Sequence, residues 1–158
     1  MLTLFLSLPN IAIALAVGFI AYQQFLLARE RFKLDLFEKR YSVFKAIEDY
    51  IEVILTYRNV SDDAWAKFLN ETRTVLYVFD DDIVQLAKGL REKGVRLREV
   101  TAEIKEEDDE AEKTKLQAEK QHLVRAVFDV LMSMDATFAP YLKFKKWHKG
   151  FLWEFPYK

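Results

Sequence analysis

The sequence contains no cysteine, and only four glycines, three prolines and two histidines among its 158 residues. Without cysteine there is no disulfide scaffold, no zinc site built on thiolates and no cysteine nucleophile. Scarce glycine and proline leave few points at which a helix must break. Charge of either sign in excess is also missing, since 24 Lys and Arg stand against 25 Asp and Glu. The chain therefore has no general electrostatic pull toward nucleic acid, and none is expected as a partner. Half of it is apolar, which argues against a disordered tail. There is no His-Glu-x-x-His, no Gly-x-Ser-x-Gly and no glycine loop to cradle phosphate, so no metal and no cofactor is expected. The most informative absence is local: residues 1–28 carry no charged side chain.

What fills that gap is apolar. Ile11 to Ala28 would span about 27 Å as a helix, and starting from Leu8 it covers a bilayer core of about 30 Å. Ser7 offers a capping hydroxyl and Pro9 sits in the first turn, where no backbone donor is lost. A transmembrane anchor is the leading expectation. Two others stand beside it: a cleaved signal peptide, which lacks its basic n-region here, and a buried core helix. Arg29, Arg31, Lys33, Lys39, Arg40 and Lys45 all follow the run and none precedes it, so the body should be cytoplasmic and the N-terminus outside. Tyr22 and Phe25 would lie at the inner interface. Ala14 and Gly18 are spaced i, i+4, as are Ala12 and Ala16, and small residues at that interval allow close helix approach in lipid. With Gln23 and Gln24 as interhelical hydrogen-bonding groups, Ala14 and Gly18 form the expected self-association site. The plainer alternative is that small residues are common in spans and the glutamines reach the headgroups.

After the apolar run, Leu34, Phe37, Tyr41, Phe44, Ile47, Ile51 and Leu55 recur at steps of three and four, one face of a helix continuous with the anchor. Ser61-Asp62-Asp63 is a helix start, and the helix it opens is expected to bury Trp65, Phe68, Leu69, Leu76 and Phe79. Asp80-Asp81-Asp82 marks the next turn. Ile83, Leu90, Leu97 and Ile104 then repeat every seven residues, with Leu86, Lys93 and Val100 as a second seam and Lys93 its misfit. Gly89 and Gly94 should weaken that helix and bend it. Leu116, Leu123, Val127, Leu131, Met134 and Phe138 pattern the last helix, which Pro140 ends or kinks. The expected fold is all-α: a transmembrane helix (1–28) running into an antiparallel helical bundle with coiled-coil-like packing (29–142), then an aromatic and basic tail (143–158).

The tail holds six aromatics and four lysines between Phe144 and Lys158. Trp147, Lys149, Phe151 and Trp153 would suit the headgroup layer. A plug pinning the tail onto the bundle is the leading reading, ahead of lipid contact and of a surface for a partner or nucleic acid. His122 reads as a surface residue, and the acid run Glu106–Glu110 as a solvated loop lacking the ligand alternation of a calcium site. Lys143 and His148 have the spacing of the Arg/His pair of HEPN-type ribonucleases, but with Lys in place of Arg and Pro140 breaking the helix before them.

The stretch AYQQFLLARERFKLDLFEKRYSVFKAIEDYI at 21–51, together with Pro140-Tyr141-Leu142 followed by Lys143-Phe144, resembles a family of small bacterial single-pass membrane proteins. The resemblance implies an inner-membrane anchor with a cytosolic helical body and assigns no activity. More remotely, the layout is similar to that of the pore-forming accessory membrane protein of type VI-B CRISPR systems; no site residue is carried over. The resulting expectation is a non-enzymatic, self-associating interaction protein whose partners are the bilayer, its own copies and another protein. The alternatives are a pore-forming effector and a HEPN-like ribonuclease.

Overall fold

The computed structural model describes residues 2–143, with side chains from Ile13 onward. Every element among them is helical: α1 (Leu2–Tyr57), α2 (Asp62–Glu71), the single turn α3 (Val75–Val78), α4 (Asp81–Glu106) and α5 (Glu110–Leu142). The all-helical bundle is as the pattern required. α1 is 56 residues long, about 84 Å at 1.5 Å per residue. The expected junction between apolar run and body is therefore no break in the backbone. Between Gly18 and Tyr57 there is neither glycine nor proline to interrupt it.

Only the C-terminal part of α1 enters the core, where Val43, Ile47, Ile51 and Ile54 are wholly buried. The buried face is rotated from the expected one. Leu34 and Tyr41 are half exposed, and Tyr50, absent from the expected stripe, is 2% exposed. α1 carries apolar residues on more than one face, so periodicity alone leaves its orientation open; α2, α4 and α5 select the side that is covered.

Ser61 caps α2 as expected, accepting from the Ala64 N–H at 3.2 Å. The helix then stops early. At its C-terminus the buried Thr72 hydroxyl donates to the Phe68 carbonyl at 2.7 Å. The chain restarts as α3 in a new phase, so Val75, Val78 and Phe79 turn inward and Leu76, expected to be buried, is 64% exposed.

α4 and α5 form a hairpin closed over Glu107–Asp109, where the Asp109 carboxylate caps α5 by accepting from the Ala111 N–H at 2.9 Å. Arg96 bridges the pair, its guanidinium 2.6 Å from Glu119 across the hairpin and 2.9 Å from Glu103 along α4. Ile83, Leu90 and Leu97 are buried as the seven-residue repeat requires. In the second seam Val100 is wholly buried and Leu86 packs against the core as expected, while Ala87 and Gly94 are buried beside it and Lys93 reaches back to the Gly89 carbonyl. Lys93 itself does not enter the core. Nor does Gly94 break α4, which continues across it; the missing Cβ makes room for Tyr50 of α1. Phe138 of α5 closes the far end of the core, its ring edge-on to Phe44 at 5.2 Å and to Phe79 at 5.3 Å. Pro140 lies inside α5, which ends two residues later.

Candidate functional site

α1 leaves the bundle as an unaccompanied helix. From Ile13 to Asp35 no residue is buried. Ile13, Leu15, Val17, Phe19, Phe25 and Leu27 are each more than half exposed. A row of large apolar side chains standing free on one helix exceeds what a monomeric surface normally shows and marks a surface meant to be covered. No helix among the described residues is long and apolar enough to cross a membrane. The apolar part with described side chains, Ile13 to Ala28, covers about 24 Å at helical rise.

The four residues expected to mediate self-association all lie on this exposed stretch. An added Cβ at Gly18 would meet nothing within 4 Å. Helical geometry does not bring the four together. At about 100° per residue, Ala14, Gly18 and Ala21 share one face, Gln23 falls on the opposite face with Ala16, and Gln24 stands between. A close approach through Ala14 and Gly18 therefore leaves Gln23 out of that contact. The tail residues Trp147, Lys149, Phe151 and Trp153, and His148 of the ribonuclease-like pair, lie outside the described residues. Lys143 is exposed at the end of α5, and His122 is exposed on its outer face.

Where the projecting helix meets the bundle, sequence reasoning missed a polar junction. The Tyr141 hydroxyl donates to Asp82 at 2.7 Å and lies 3.1 Å from Asp80. Arg40 of α1 donates to the Val78 carbonyl at 2.8 Å, its guanidinium 5.4 Å from the Tyr141 ring centre and 5.9 Å from that of Phe79. Burial, and the two carboxylates beside it, push the Tyr141 hydroxyl well above its ordinary pKa, so it remains a donor. Arg40 counts as one more membrane-proximal cation in a linear reading. A hydroxyl bonded to an acid 59 residues earlier leaves no local signature.

Charge elsewhere is organised into exposed ion pairs. Hydrogen bonding to Lys67, and next to Lys45, holds the Asp49 carboxyl below its usual range, and Arg96 does the same for Glu119. A depressed folded pKa contributes stability above the unfolded value that is lost as pH falls through the folded one. Thermal melts are therefore expected to show falling stability from about pH 5 to about pH 3. The fall should be shallower in Arg96→Gln, whose Glu119 has no partner to lose.

Among the described residues no group of three His, Asp or Glu side chains is placed to hold a metal ion. Comparison with protein-family models, with curated proteins and with solved structures finds no match.

Proposed function

We propose that this chain is a non-enzymatic, membrane-anchored helical interaction protein that self-associates through the projecting half of α1. The observation that carries this reading is the bare apolar helix between Ile13 and Ala28, continuous with a helix of the packed bundle. The anchor takes in residues 1–12 of the sequence as well, because the apolar run with described side chains falls short of a bilayer core of about 30 Å. The six Lys and Arg residues that follow it support a cytoplasmic position for the bundle. The open space around Gly18 supports close helix–helix approach on the Ala14–Gly18 face. A pore would require Gln23 and Gln24 at one constriction, and their separation of about 100° around the helix allows only one of them to face its axis.

Fractionation of cells expressing the full chain tests the anchor, and mass measurement in detergent tests the assembly. The expected results are recovery in the membrane pellet after alkaline extraction, and an oligomeric mass that Ala14→Leu/Gly18→Leu reduces to the monomer. Recovery in detergent-free supernatant would refute the anchor. A strictly monomeric native chain would refute self-association.

A further inference from the structure

At the end of α1 opposite the projecting half, α1 and α5 leave an open groove of about 970 Å³. Its floor is Leu55, Val124 and Phe128, the last 47% exposed. Three cations line it: Arg58 from just past α1, and Lys120 and Arg125 from α5. None of the three forms an ion pair among the described residues, whereas Lys45, Lys67, Arg96 and Arg98 all do. Arg58 holds a left-handed backbone (φ 50°), its N–H bonded to the Ile54 carbonyl. That conformation is uncommon for a residue with a side chain, and here it ends α1 where glycine is the usual choice.

Arg58 and Lys120 are close enough to oppose one another. Partial burial lowers the Lys120 ammonium pKa, and Lys105 and Arg58 lower it further. Desolvation and like-charge repulsion both disfavour the charged form, and an anion placed among these groups relieves both. Guanidinium and ammonium groups together suit phosphate oxygens, the arginines by paired donors and the lysine as a point charge. Asp129 and Gln121 complete the lining. That combination of unpaired cations and apolar floor fits a molecule with an anionic head and an apolar or aromatic body.

We propose that this groove binds a soluble phosphate ester with an aromatic or apolar body, its phosphates among Arg58, Lys120 and Arg125 and its body on Leu55, Val124 and Phe128. A bilayer headgroup carries the same phosphate chemistry. Arg58 lies about 45 Å along α1 from Ala28, however, beyond the reach of a membrane that holds residues 1–28. Only this exclusion of lipid rests on the anchor; the chemistry of the groove does not.

The test uses the full chain in neutral detergent, titrated calorimetrically with ADP, inorganic diphosphate and adenosine. ADP is expected to bind with Kd at or below about 0.1 mM, diphosphate more weakly and adenosine not at all. Lys120→Gln/Arg125→Gln should weaken ADP at least about tenfold with unchanged helicity and melting temperature, since neither cation has an ion-pair partner among the described residues to lose. Phe128→Ala should weaken ADP and leave diphosphate unchanged. Lys88→Gln/Lys115→Gln, which lie elsewhere on the surface, should change neither. Absence of ADP and diphosphate binding at about 5 mM, or binding indifferent to the Lys120/Arg125 pair, overturns the proposal. Binding of anionic vesicles that ADP does not displace, and that the Lys120/Arg125 variant abolishes, overturns the assignment to a soluble ligand. A soluble chain that still binds ADP would refute the anchor and leave the groove standing.

Discussion

Gly94→Ala and Gly89→Ala, two identical changes five residues apart in α4, are expected to shift stability in opposite directions. An added Cβ at Gly94 overlaps the Tyr50 hydroxyl oxygen and comes within 3.1 Å of the ring carbon bearing it and 3.4 Å of the Trp65 ring. Tyr50 has nowhere to swing. It stacks on Phe68 with ring centres 4.1 Å apart, is 2% exposed, and is wedged between α1, α2 and α4. Overpacking of this kind costs about 1–3 kcal/mol, and displacing a buried ring puts Gly94→Ala near the upper end, well beyond the gain in helix propensity. At Gly89 the nearest atom is the Lys93 ammonium nitrogen, 3.5 Å away at the end of a flexible side chain. There the alanine is expected to stabilise by about 0.5–1 kcal/mol, through lower backbone entropy in the unfolded chain.

Tyr50 supplies the internal control. Its hydroxyl is buried without a hydrogen-bond partner, and desolvation pushes its pKa up to about 12. Removing an unsatisfied buried group is close to neutral or favourable. Tyr50→Phe is therefore expected to leave stability unchanged or raised, and to reduce the cost of Gly94→Ala by about 1 kcal/mol or more in a double-mutant cycle. Urea unfolding of the full chain, followed by circular dichroism, measures all four. Equal effects at the two glycines would disprove the close approach.

Phe138→Ala is the second large effect. Phe138 is fully buried and holds three parts of the chain at once: Phe44 of α1, Phe79 before α4, and its own helix α5. Truncating such a ring removes the transfer free energy and leaves a cavity, at about 3–5 kcal/mol. For a domain stable by about 5–15 kcal/mol that is a large fraction, and the melting transition should move accordingly. Phe128→Ala, on the same helix but half exposed, should change stability by no more than about 0.5 kcal/mol. A Phe138→Ala protein unfolding at the wild-type urea midpoint would show that the three-way aromatic contact is absent in solution.

The helical character of the chain was legible from local pattern. Ser61 capped its helix, the acids at 80–82 opened α4, and Ile83, Leu90 and Leu97 were buried at the expected spacing. These features depend on residues within a few turns of one another. The choice of face did not. Leu76 was lost to solvent because α2 ends at Glu71 and α3 restarts in a new phase, and α4 buries Ala87 and Gly94, which carry little or no hydrophobic signal. The groove cations Arg58, Lys120 and Arg125 come from two segments about 60 residues apart, and nothing local links them.

Charge and apolar spacing by themselves dictated long helices, their caps, and a charge-free segment set apart from an amphipathic body. Which sides of those helices touch, why Gly94 is glycine, and where Tyr141 and Arg40 lock the bundle depended on packing between residues distant in the chain. Local hydrogen bonding and side-chain sterics act over a turn or two and are written in neighbouring residues. Close packing is a property of surfaces that meet only once the chain has folded.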